Sequence, residues 1–225
     1  MQHLAELGLV PGLGNLHAAL LWGGLWRSGS VPRLGSAQGF WVLRVGLHQG
    51  HRGANEEGRL GDPVLRESFV KRVFIYKRWQ DMVEGGLDWA ALTDFHARHK
   101  LILYSHDQDL GRKLGRELSG AHDQPVADYA QVYLSQLMAI LKIYAKRSNH
   151  VNVLEHIRGY LKRDLDKSDK QELTETIEKY RRGLLPLIVP ITLLRHHFRK
   201  NPNEYIERSY YMQPHPDELM LLNSL

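Results

Sequence analysis

Beyond residue 61 the apolar positions recur every three or four residues, the spacing of helices with one buried face. Asp62-Pro63 reads as an N-cap followed by proline at the first helical position. Leu65, Phe69, Val73 and Tyr76 then form a stripe that Gly85-Gly86 ends. A second helix is expected from Trp89 to His106, with Leu92, Phe95, His99, Ile102 and Leu103 inward. A short third helix follows Asp107 and is weakened by Gly111 and Gly115. Asp123 and Pro125 open a long fourth helix. Its Val126, Tyr129, Tyr133, Leu137, Ile140, Leu141 and Tyr144 hold helical register for about five turns.

A break is expected at Ser148-Asn149, followed by a helix with Leu154, Ile157, Leu161 and Leu165 inward. Ser168 to Gln171 reads as a capping box. The helix behind it sets Leu173, Ile177, Tyr180 and Leu184 on one stripe, with Glu175–Lys179 and Glu178–Arg182 paired outside. Pro186 and Pro190 restart the chain into a helix ending near Lys200. No run alternates apolar and polar residues long enough for a sheet. The pattern predicts an all-α fold, a compact multi-helix bundle of about six or seven helices.

Composition divides the chain. Residues 1–61 hold 13 of the 20 glycines and three of the five tryptophans, yet no Lys, Asp, Ile, Tyr or Thr. Glycine at that density breaks helices and weakens strands. The expected organisation is a Gly-rich, poorly structured N-terminal segment over 1–55 and a helical domain over 56–225. A flexible, disordered extension and a stretch translated from a shifted frame or a wrong start are both open readings of the first segment.

The formal charge of +5 leans toward an anionic partner. The absence of cysteine excludes disulfides, a thiolate nucleophile, Cys-ligated zinc and a Cys-held iron–sulfur cluster in this chain. The longest apolar runs, Leu16 to Trp26 and Leu184 to Leu194, fall short of the ~20 residues that span a bilayer. No membrane partner is expected, and the localisation read from the chain is cytoplasmic.

Five stretches carry a resemblance. They are Glu56-Glu57-Gly58-Arg59-Leu60, Phe95-His96-Ala97-Arg98-His99-Lys100, Lys146-Arg147-Ser148-Asn149-His150, Leu185-Pro186-Leu187-Ile188-Val189-Pro190 and Tyr211-Met212-Gln213-Pro214-His215-Pro216. Together they make the chain from Glu56 to Asn223 resemble the YbgA-like bacterial domain of unknown function. In many bacteria such a domain sits behind a TudS-type thiouracil desulfidase domain, in fusions associated with removing sulfur from 4-thiouridine in tRNA. The resemblance implies RNA binding, tRNA above all, and a desulfidase domain or protein as a partner. It also makes residues 1–55 a candidate remnant of that fused half, without the cysteines its cluster needs.

The residues themselves offer several constellations. Lys146 and Arg147 at a helix end, Ser148 or Asn149 as a cap, and His150 place cations and free N–H groups where a phosphate fits. Arg158, Lys162 and Arg163 follow on the solvent face, and Tyr160 is placed to stack on a base. Arg181-Arg182 and Arg195-His196 add basic clusters near helix ends. The bland reading is a solvated face paired with Asp164 and Asp166. His96 and His99, one helical turn apart, are candidate metal ligands, with His150 or His156 as a third, although no complete ligand motif is present. No nucleophile motif appears, and no cofactor is expected. The leading expectation is a non-catalytic RNA-binding accessory domain. The alternatives are an enzyme using His96, His99, His150 and Glu155, and a protein–protein interaction module.

Overall fold

The computed structural model describes residues 62–216; the 1–55 segment and everything expected of it lie outside the described residues. Every regular element among those residues is a helix. In order they are α1 (Pro63–Glu84), α2 (Trp89–His106), α3 (Gln108–Ser119), α4 (Val126–Lys142), α5 (Arg147–Tyr160), α6 (Lys167–Arg181), α7 (Ile188–Lys200) and the short α8 (Glu204–Arg208). The all-α reading therefore holds. None of these helices is long and apolar enough to cross a membrane.

Local chemistry sets most boundaries. Asp88 caps α2 by accepting the Ala91 N–H at 2.7 Å. Asp107 serves two helices: its N–H closes α2 on the Leu103 carbonyl, and its carboxylate accepts the Asp109 and Leu110 N–H groups that open α3. Two expected caps are corrected. Asp166, not Ser168, caps α6, accepting the Asp169 N–H at 2.8 Å. A carboxylate there complements the helix dipole as well as the free N–H, which a hydroxyl does not. The break before α5 lies at residues 143–146, and Ser148 and Asn149 already sit in its first turn. Lys146 occupies the N-cap without a side-chain bond.

α2 is the hub. Helices α1, α3, α4 and α5 all pack on it, so its buried positions run around the cylinder and not along one stripe. Leu92, Leu101, Ile102 and Leu103 are closed off, and His96, His99, Ser105 and His106 are buried with them. Helices α5, α6 and α7 pack on one another and join the rest chiefly through α5 on α2. The C-terminal segment is clasped to α1 and α2. Arg78 lies 3.8 Å over the Tyr210 ring and donates to the Pro214 carbonyl, while Arg98 donates to the Tyr210 hydroxyl.

The glycines of α3 do more than weaken it. A Cβ on Gly111 would stand 2.8 Å from Cδ1 of Tyr104, and one on Gly115 would stand 3.0 Å from Nε2 of His96. These two positions let α3 lie against the aromatic rings of α2. Gly111→Ala is therefore expected to lower stability by ~1–3 kcal/mol through overpacking, against a helix-propensity gain of under ~1 kcal/mol. Gly159 in α5 has open space around it. Gly159→Ala is expected to raise stability by ~0.5–1 kcal/mol. Urea unfolding of the two variants checks the opposite signs.

Candidate nucleic-acid interface

The Lys-Arg-Ser-Asn-His junction is a structural knot. His106 donates its Nδ1–H to the Ile143 carbonyl at 2.6 Å, which takes up a free acceptor at the end of α4. Asn149 donates to the His106 carbonyl at 3.0 Å and ties α5 to α2. His150 is buried, with Nδ1 2.9 Å from the Tyr211 hydroxyl. Arg147 is half-buried, and its guanidinium lies 5.5 Å from the Tyr180 ring centre. It also fills the space that a Cβ on Gly183 would need, and Gly183 has a φ of 79° that disfavours a side chain. His150 as a phosphate contact is thus corrected, because the core has taken it. Arg147 stands at an N-terminus, where its charge opposes the helix dipole, and not at the C-terminus expected for it.

The next basic residues are largely spoken for. Arg158 pairs with Glu155 at 2.6 Å and donates to the Thr174 hydroxyl. Arg181 reaches both Glu155 and Glu178, and Arg182 pairs with Glu178 at 2.8 Å. The expected Glu178–Arg182 pair forms, whereas Arg158 takes Glu155 and not the Asp164 or Asp166 expected for its face. Arg195 is half-buried and engaged, and His196 is exposed beside His197. Lys162 and Arg163 follow α5, are exposed and make no ion pair among the described residues. Tyr160 is exposed, packed edge-on to His156 and tilted against Tyr205.

One turn before Tyr160 lies a cleft of about 230 Å³ that none of the expected RNA- or phosphate-binding residues lines. Helix α2 contributes Lys100 and Tyr104, α3 contributes Gln108 and Arg112, and α5 contributes Asn152 and His156; Leu101 and Val153 supply the apolar part. No carboxylate among the described residues lines it. Lys100 sits 5.7 Å from the Tyr104 ring centre, and neither Lys100 nor Arg112 has an ion-pair partner among the described residues. Burial, with the Lys100 charge beside it, holds His156 below the usual imidazole range. Burial and the nearby Tyr160 and Tyr104 hydroxyls push Tyr205 up to about 12, and its hydroxyl is buried without a hydrogen-bond partner.

Asn152, His156 and Tyr160 are spaced i, i+4 and i+8, a row legible on the predicted helix. In the sequence Lys100 is visible only as the residue beside His99, and His156 only as a third metal ligand. The histidines do not assemble a centre. His96 faces the Tyr133 hydroxyl, His99 donates to the Phe95 carbonyl, and no three His, Asp or Glu side chains among the described residues converge to hold a metal. Glu155, the fourth member of the enzyme alternative, is held by arginines.

The model of the family described as "Protein of unknown function (DUF1722)" matches residues 100–216. The "Uncharacterized protein YbgA" of Escherichia coli strain K12 is 31% identical over 159 residues, covering 70% of this chain and 94% of that protein. No solved structure matches the chain.

The buried histidines make stability pH-dependent. Burial, aided by nearby cations, lowers His96 to about 4 and His99 and His106 to about 3, and holds His150 well below its usual value. In the unfolded chain each binds a proton near pH 6.5, so the unfolded state takes up protons first as the pH falls. The stability is whole above pH 6.5 and is lost from there down toward the folded values. Four such groups give a slope of ~5 kcal/mol per pH unit near pH 5. Against a total of ~5–15 kcal/mol, acid unfolding is expected with a midpoint near pH ~5. Tryptophan fluorescence followed from pH 8 to 3 checks it, and a native signal at pH 4 would contradict the neutral buried state.

Proposed function

The chain belongs to the DUF1722 family and is similar to YbgA of Escherichia coli, and from that premise we propose that it is an RNA-binding accessory domain without chemistry of its own. Its preferred ligand is a structured RNA, tRNA first, and its biological setting is the removal of sulfur from 4-thiouridine by a desulfidase partner in the cytoplasm. The observation that carries the RNA-binding reading is the sorting of charge between paired arginines and unpaired cations. Arginines on α5 and α6 pair with Glu155 and Glu178, while Lys162 and Arg163, just past Tyr160, and Lys100 and Arg112, in the cleft with Tyr104, have no ion-pair partner among the described residues. Cations left unpaired next to aromatic rings suit a phosphodiester chain with accessible bases. The tRNA and thiouridine parts rest on the resemblance to the fused desulfidases.

The residues that bind RNA are accordingly Lys162, Arg163 and Tyr160, with Arg158 contributing where it can leave Glu155. Arg147, Arg181, Arg182, Arg195 and His196 stand behind them. Retardation of total tRNA across 50–300 mM salt is the test. About four phosphate contacts give a slope of roughly −3 in log affinity against log salt. Lys162→Glu with Arg163→Glu is expected to weaken binding by about tenfold or more, with the melting temperature unchanged. Absence of any retardation at 50 mM salt would remove the reading.

A further inference from the structure

We propose that the cleft between α2, α3 and α5 seats one unstacked nucleotide of a looped or single-stranded RNA, with its phosphate between Lys100 and Arg112 and its base against the rings of Tyr104 and His156. The proposal deepens the RNA-binding reading and rests on it. Four features of the cleft favour this occupant.

The first is charge. Two cations from different helices face the same space, no carboxylate lines it, and neither cation is paired among the described residues. Two like charges facing one cleft make a local positive field that attracts an anion. Arg112 supplies a planar fork that matches phosphate oxygens, and Lys100 supplies a point charge. The second is size. At about 230 Å³ the cleft lies just below the ~300–1,000 Å³ that takes a drug-sized ligand, so it admits one nucleotide unit and not a longer segment.

The third is the polar inventory. Gln108 and Asn152 each present an amide oxygen and an amide N–H, the pair of functions that reads a base edge. Bases of a duplex keep those edges paired and stacked, so an unstacked base is the form that fits. The fourth is continuity. Asn152, His156 and Tyr160 share one side of α5, so the chain leaving the cleft passes to the Tyr160–Tyr205 pair and then to Lys162 and Arg163. The unpartnered hydroxyl of Tyr205 sits along that row.

Calorimetry on the full chain with uridine 5′-monophosphate, inorganic phosphate and uridine tests the seat, alongside displacement of a labelled single-stranded RNA hexamer. The nucleotide is expected to bind about tenfold or more tightly than phosphate or uridine alone, and to displace the hexamer. Lys100→Gln and Arg112→Gln are each expected to weaken the nucleotide by about tenfold, since each removes a charge-assisted contact. The Lys162→Glu, Arg163→Glu pair is expected to weaken the hexamer and leave the nucleotide within about twofold. Arg112 is exposed, so its variant keeps the fold a separate matter, checked by an unchanged melt.

Nucleotide binding that Arg112→Gln leaves unchanged, or no nucleotide binding while tRNA is still retarded, overturns the seat and leaves the RNA-binding reading standing. A glutamate-rich peptide that binds the cleft more tightly than the nucleotide also overturns it. Nucleotide binding sensitive to both variants, with no RNA retarded, upholds the phosphate-and-base seat, removes the RNA-binding reading and makes the occupant a free nucleotide.

Discussion

Packing of four helices on α2 is the constraint on which the rest depends. Ala90 and Thr93 keep one side of its N-terminal half in water, but polar side chains packed under the neighbouring helices have no such outlet, so each needs a partner inside. His99 uses the carbonyl one turn back, Ser105 uses that of Ile102, His106 reaches the end of α4, and His96 faces Tyr133. The same crowding explains α3. Two glycines one turn apart on a short helix cost helical propensity, and that cost is offset because they let α3 approach Tyr104 and His96 closely.

That constraint also settles what the junction before α5 is. Its polarity resembles that of a ligand site, but α4 stops there and leaves a carbonyl free, and His106 and Asn149 take up the loose ends. Arg147 is drawn onto Tyr180 beside a glycine with positive φ, and His150 is drawn onto Tyr211. The polar residues of the junction are employed in holding three helix ends together. The candidate binding face begins one turn further along α5, where Asn152, His156 and Tyr160 look outward past the knot.

Charge sorts on the same helix. Glu155 and Glu178 gather three arginines between α5 and α6, and pairs this exposed contribute little stability each. Their effect is to cancel charge on that side. Around the cleft no carboxylate among the described residues plays that part, so Lys100 and Arg112 keep their field, and burial together with Lys100 lowers His156 from the usual imidazole range. A mild net charge of +5 spread over the sequence thus becomes a local asymmetry.

Helix positions were legible because amphipathic spacing and Asp caps are local: α1 and α2 begin and end where Asp62-Pro63, Gly85-Gly86, Asp88 and Asp107 place them. The all-α class follows from the same periodicity. Three pairs at helical spacing, Lys100 with Tyr104, Gln108 with Arg112 and Asn152 with His156, were also present in the sequence, each visible as neighbours on one helix. Nothing local says that these pairs face one another. Their meeting depends on how closely α3 approaches α2 and on how α5 crosses it, both set by side-chain packing between residues distant in the chain. Whether an arginine is free or paired has the same origin: Arg181 and Arg158 share Glu155 only because α6 returns alongside α5. The sequence by itself determined the helices, their caps and the surplus of positive charge. Only the tertiary structure decided which polar residues became core and which cations were left without partners, because burial and pairing depend on long-range contacts.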